Sequence, residues 1–227
     1  MTEPAPPTGP QGAPGEREPP AHWPAWATLA LLAVLGLSLF FVADLPGRWL
    51  GAAAAPAQVF TARDITAENR SAAFTLADPA GRPRSLDEFR GRLVILTFGY
   101  TNCPDFCPTT LAKLAEVRRL LGPDAGRLQV LFVTIDPGRD SARLLGNYVP
   151  QFDPSFVGLR GTEAQTDALT RALGADYRIV EYQGRTLVEH TSSSYVVDAQ
   201  GRTRLVSPYD QSARSLADDL LALLRTP

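Results

Sequence analysis

Only two cysteines and two histidines occur in this chain of 227 residues, so its chemistry must be done with very few soft or imidazole ligands. That scarcity excludes most multi-metal designs. Positive charge is not concentrated anywhere: 22 Lys and Arg are mixed along the chain with 24 Asp and Glu, for a formal net charge of −2. Phosphate recognition needs a basic face, so nucleic acid is a poor partner for such a chain. Internal repeats are absent too, which removes the stacked-repeat architectures.

What is present divides unevenly. Residues 1–24, MTEPAPPTGPQGAPGEREPPAHWP, are dense in proline and glycine with almost nothing to bury, and read as a disordered tail. Ala25 to Ala43 is a run of 19 residues without a charge. A helix of about 20 residues matches a hydrocarbon layer about 30 Å thick. Trp23 and Trp26 at one end and Trp49 beyond the other suit the headgroup region. The sequence therefore predicts a transmembrane anchor over 25–43 and a linker over 44–58. A cleaved signal peptide is one alternative, because Ala52-Ala53-Ala54 offers small residues for processing, but the long, net acidic leading segment fits an uncleaved anchor better. A buried core helix is another, and the lack of a polar face argues against it. Arg17 before the run and Arg48 after it leave the orientation open.

About 170 residues remain from Val59 onward, enough for one sizeable core and too few to argue for two. Ala73 to Leu76, followed by a turn at Asp78 to Gly81, suggests a short strand and hairpin. Leu93 to Phe98 is a nearly continuous β-prone run, the mark of a central strand covered on both faces. Apolar residues at 111, 114, 117, 120 and 121 give 108–121 a helical period, with Pro108 in the first turn. Leu128 to Ile135 reads as a second buried strand, so a βαβ unit is the economical topology. Helices over 141–149 and 163–173 are expected on either side of a strand at 156–159. Strands at 177–182, 194–197 and 202–206 follow, with a turn at 198–201, and a helix over 211–224 closes the domain. The whole is an α/β, thioredoxin-like plan with insertions, preceded by one transmembrane helix.

The segment Phe98 to Thr109, FGYTNCPDFCPT, carries both cysteines at the junction of a central strand and a helix. Open α/β sheets place their ligand sites at the carboxyl ends of strands. Unpaired N–H groups and the helix dipole there favour thiolate, which would make Cys103 and Cys107 better nucleophiles and better metal ligands. Their spacing, Cys-x-x-x-Cys, permits a disulfide and also lets both sulfurs face one small ion. Two thiolates suit Cu(I) and can hold zinc. His190 is the natural third donor, since His22 precedes the apolar run; it stands in VEHTSSSYVV, in a loop ahead of the expected strand at 194. Cys₂His without a fourth ligand suits three-coordinate Cu(I), whereas structural zinc closes with four. A tuning role beside the thiols and an ordinary loop histidine remain the other readings of His190. A structural disulfide is the other reading of the cysteine pair, though so short a ring constrains little unfolded-chain entropy.

At these residues the chain resembles the Sco/SenC family of thioredoxin-fold copper chaperones. The matching pieces are FTLADPAGRPRSLDEFRGR at 74–92, FGYTNCPDFCPTTL at 98–111, VTIDPGRD at 133–140 and EHTSSSYVVDAQG at 189–201. The resemblance implies a copper-binding domain over 59–227, with Cys103, Cys107 and His190 as ligands of one copper(I), or of copper(II). It places Asp136 near the metal, where an Asp-Pro turn is the equal alternative. Glu189 stands where members often have Asp, which puts a precise orienting role there in question. The implied function is delivery of copper to the binuclear copper centre of cytochrome c oxidase. The implied partners are the apo copper-binding subunit, another copper chaperone or a thiol reductant, and the membrane. The implied location is the bacterial inner membrane, N-terminus cytoplasmic and domain on the periplasmic or extracytoplasmic side.

Such a protein is a metallochaperone more than a turnover enzyme. The first rival is a thiol–disulfide oxidoreductase that reduces the acceptor's metal-binding cysteines. A peroxidase-like member of the fold fits the paired segment poorly, and a redox or copper sensor would leave no trace in the sequence.

Overall fold

The computed structural model describes residues 24–49, 59–182 and 185–225, with side chains throughout these except at 25, 39–49, 179 and 181–190. Two compact units divide the chain, Met1–Ala57 and Gln58–Pro227. In the first, a helix, α1, runs Ala25–Trp49. It continues past residue 43 into the segment read as linker, while the tail up to Trp23 and residues 50–58 lie outside the described residues. Trp26, Leu29, Leu32 and Val34 are exposed apolar side chains on α1. Among the described residues no helix is long and apolar enough to cross a membrane. The described side chains of α1 end at Ser38, so the expected span over 25–43 extends beyond them.

In the second unit the strands are β1 (Arg63–Asp64), β2 (Thr75–Ala77), β3 (Pro83–Ser85), β4 (Leu93–Gly99), β5 (Leu128–Thr134), β6 (Val157–Leu159), β7 (Tyr177–Tyr182), β8 (Arg185–His190), β9 (Ser194–Val197) and β10 (Thr203–Ser207). The helices are α2 (Phe106–Leu120), α3 (Ala142–Tyr148), α4 (Glu163–Leu173) and α5 (Ala213–Arg225). Six strands form one mixed sheet in the order β1-β10-β9-β4-β5-β6. The pairs β4–β5 and β5–β6 are parallel, and the remaining three are antiparallel. Every residue of β4 and β5 is buried, as a pair of central strands covered on both faces requires. Leu111, Leu114 and Val117 on α2 and Leu216 and Leu220 on α5 are fully buried, and these two helices pack together.

Local chemistry sets the boundaries. The Ser141 hydroxyl accepts from the Leu144 N–H at the start of α3, and Thr162 with Gln165 forms a capping box that starts α4. Gly174, at φ 69°, ends α4 in the left-handed conformation. Buried Asp219 on α5 accepts the backbone N–H groups of Thr61 and Ala62 at 2.9 and 2.8 Å, tying the first segment of the unit to its last helix.

Two expectations need correction, and one strand was not anticipated. The helix expected from Pro108 begins at Phe106, so Cys107 lies inside its first turn. Residues 185–190, read as loop, form β8 and pair with β7 in a separate two-stranded hairpin. His190 thus ends a strand, with Tyr177 opposite it, because the alternating residues of 185–189 can pair with β7 and satisfy backbone groups that a loop would leave to water. Lastly, β1 adds an edge strand that so short a segment does not announce.

Candidate functional site

The cysteine loop leaves the carboxyl end of β4 and enters α2. Cys103 sits in the loop, partly exposed, and Cys107 is 3% exposed in the first turn of the helix; neither is in a disulfide. The Cys107 N–H points at the Cys103 Sγ, 3.4 Å away, and the two thiols share a side-chain hydrogen bond. Gly99 makes room for this arrangement. A β-carbon there would stand 2.7 Å from the Cys107 Sγ and 2.7 Å from Cε2 of Phe132.

Electrostatics separates the two sulfurs. The hydrogen bond to Cys103 and then burial push the Cys107 thiol far above its ordinary value, and a hydrogen bond from the Tyr100 backbone opposes them only in part. The expected acidification by the helix N-terminus is therefore reversed at Cys107. Two sulfurs in contact cannot both take up charge cheaply unless a cation joins them. A soft monovalent metal is one such cation.

Asp140 holds the loop in place, a residue that the sequence reading quoted without singling out. Its carboxylate is 1% exposed and accepts from the Thr101 N–H at 3.0 Å, the Thr101 hydroxyl at 2.5 Å and the Thr134 hydroxyl at 2.6 Å. It thereby fastens the cysteine loop to the end of β5. Asp136, the residue that was singled out, serves its own turn: its carboxylate accepts from the Arg139 guanidinium, and its carbonyl accepts the Asp140 N–H at 2.9 Å. Arg139 in turn stands 5.9 Å over the Tyr100 ring at the start of the cysteine loop. The position of Asp140 at the end of VTIDPGRD was the available signal; only the fold shows that it faces Thr101.

An open cleft of about 470 Å³ adjoins the loop, lined by Thr101, Asn102, Arg139, Asp140, Leu144 and Tyr148 among others. The side chain of His190 lies outside the described residues, and among those described no three His, Cys, Asp or Glu side chains gather as a metal site. The backbone does locate its strand. Ser194 pairs with Thr97 across antiparallel β9 and β4, so the connection from His190 into β9 arrives at the end of β4 from which the cysteine loop departs.

A mixed sheet with a reduced dithiol at the junction of its central strand and a helix N-terminus defines a thioredoxin-like domain. The SCO1/SenC family profile matches residues 62–225, and the chain belongs to that family. Among its relatives, the mitochondrial SCO2 homolog of Mus musculus is 33% identical over 202 residues, covering 83% of this chain and 76% of that one. A SCO2-like protein of Rickettsia felis is 36% identical over 132 residues, covering 57% of this chain and 64% of that protein's length. The structure of Bradyrhizobium japonicum ScoI with copper bound is 30% identical, with a TM-score of 0.62, covering 68% of this chain and 99% of that one.

Proposed function

We propose that this chain is a copper(I) metallochaperone that carries one cuprous ion on Cys103, Cys107 and His190. The observation that carries the reading is the contact between two sulfurs not joined in a disulfide, one partly exposed and one buried, at the strand–helix junction. Copper bound in the related ScoI structure supports the choice of metal. His190 is supported as third ligand by topology: the three residues 191–193 that link it to β9 span at most about 14 Å. They arrive beside the cysteine loop.

Copper is cargo. Loading displaces the thiol protons and joins both sulfurs to one ion, and three ligands leave room for a fourth from an acceptor. Ligand exchange then passes the ion on without releasing it to water. The acceptor implied by the family resemblance is the copper-binding subunit of cytochrome c oxidase. The uncharged run at 25–43 anchors the chain in the bacterial inner membrane in this reading, with the domain periplasmic. The same sulfur contact also favours a dithiol reductant of the acceptor's cysteines, the second reading.

Anaerobic competition for Cu(I) between the reduced protein and a calibrated chelator tests the choice, with His190→Ala beside the wild type. Residues that merely orient a metal ligand cost about 10–100-fold in affinity, so loss of a ligand should cost at least about tenfold. Equal affinity in the variant would remove His190 from the site and put the reductant first.

A further inference from the structure

The hairpin of β7 and β8 forms a two-stranded sheet separate from the six-stranded one. An isolated two-stranded hairpin is marginally stable in water, so this one needs support from outside itself. Tyr177, the first residue of β7, supplies a bond of that kind. Its half-buried ring packs against the hydrophobic core, and its hydroxyl donates to the Asp167 carboxylate on α4. That helix is a firm support, with Thr166, Leu169, Thr170 and Leu173 all buried. Tyr177 is also the cross-strand partner of His190. Directly paired residues of antiparallel strands hold their Cα atoms about 4.5–5.5 Å apart. The next pair closes the ladder: the Thr191 N–H donates to the Asp176 carbonyl at 2.9 Å, and the Asp176 N–H donates to the Thr191 hydroxyl at 3.1 Å. The backbone of His190 is therefore held between this closing pair and a tyrosine bonded to α4.

We propose that Tyr177 is a positioning residue for His190: its bond to Asp167 fastens the end of β8 to the body of the domain, so that the histidine's strand is already in place when a cuprous ion arrives. The inference rests on the reading of His190 as the third ligand. Without the bond, the end of the hairpin would be ordered only as the metal binds, and the entropy lost in ordering it would be subtracted from the affinity. Tyr177 acts through backbone pairing and needs no contact with the ion. Arg171 also reaches Asp167, at 3.8 Å, but that exposed pair lies within α4 and ties nothing to the hairpin.

Tyr177→Phe keeps the ring in place and removes the bond. The Cu(I) affinity of the reduced full-length chain in mild detergent is measured anaerobically against a calibrated chelator, for Tyr177→Phe, His190→Ala and the two combined. Tyr177→Phe should weaken binding about fivefold, the worth of one ordinary hydrogen bond. In the His190→Ala background it should change nothing, because the strand it holds no longer carries a ligand. In the metal-free protein, the Thr191 amide hydrogen should exchange about fivefold faster in Tyr177→Phe. Equal affinity of Tyr177→Phe and wild type overturns the proposal, as does a similar loss in both backgrounds, which would assign the tyrosine to general stability. Unaltered exchange at Thr191 overturns it too. If His190→Ala alone binds as tightly as the wild type, the three-ligand reading falls and this inference with it; the preceding outcomes leave that reading standing.

Discussion

Replacing Gly99 by Ala tests whether the strand-to-loop junction is built around the Cys107 sulfur. The new methyl would meet that sulfur and Phe132 Cε2 at 2.7 Å each and Phe132 Cζ at 3.0 Å, closer than carbon tolerates. Neither neighbour retreats easily. Phe132 is 1% exposed in the middle of β5 and backed by Tyr148, while Cys107 is fixed in the first turn of α2. Overpacking of this kind costs about 1–3 kcal/mol. Loss of glycine's freedom in the unfolded chain returns about 0.4–1 kcal/mol. The net is a destabilisation centred on about 1.3 kcal/mol, or a fall of about 3–5 °C in melting temperature for a unit of this size. Urea unfolding and a thermal scan of reduced Gln58–Pro227 measure it. The alkylation rate of Cys107 should change at the same time, since its sulfur must move. A variant as stable as the wild type, with unaltered Cys107 reactivity, would refute the claim that this glycine makes room for the thiol.

Two further outcomes follow from the carboxylates. In Asp140→Asn an amide replaces one of two oxygens that face three donors, so at least one buried donor loses its acceptor, at about 1–3 kcal/mol. The cysteine loop should exchange its amide hydrogens faster, and unchanged protection at Thr101 would count against the tether. At Asp198, burial pushes the carboxyl up, but the Arg202 N–H and the Arg204 and Arg202 guanidinium groups outweigh it and hold the pKa below its ordinary value. At Asp78, burial is likewise outweighed, there by Arg82. A depressed folded-state pKa means that the stability is fully present above the unfolded value and is lost as pH falls through the folded one. Denaturant unfolding from pH 7 downward should show that loss beginning below about pH 4, smaller in Asp198→Asn. Parallel curves for variant and wild type would exclude Asp198 as a contributor.

Much of the architecture was legible because its signals are local. The continuous β-prone runs at 93–98 and 128–135 became β4 and β5 within a residue, and the period-3 apolar residues of 108–121 became α2. Cys103 and Cys107 stood out as the only sulfur pair in the chain, four positions apart at a strand–helix junction. The start of α2 was misplaced because Pro108 was read as the opening of the helix, whereas a proline is equally tolerated two residues into the first turn. β8 was missed because Arg185 to His190 pairs only with β7, in a two-stranded sheet separate from the six-stranded one that the local signals announced.

By itself, then, the sequence determined the class of fold, the order of its central elements and the two thiols, since each follows from residues close together in the chain. Tertiary structure alone decided what surrounds those thiols. Asp140 reaches Thr101 across 39 positions, Phe132 and Cys107 converge on Gly99, and Tyr148 packs against the Phe132 ring. Hydrogen bonds and close packing act through space, and no local spacing encodes which distant side chains the fold will bring within 3 Å of one another.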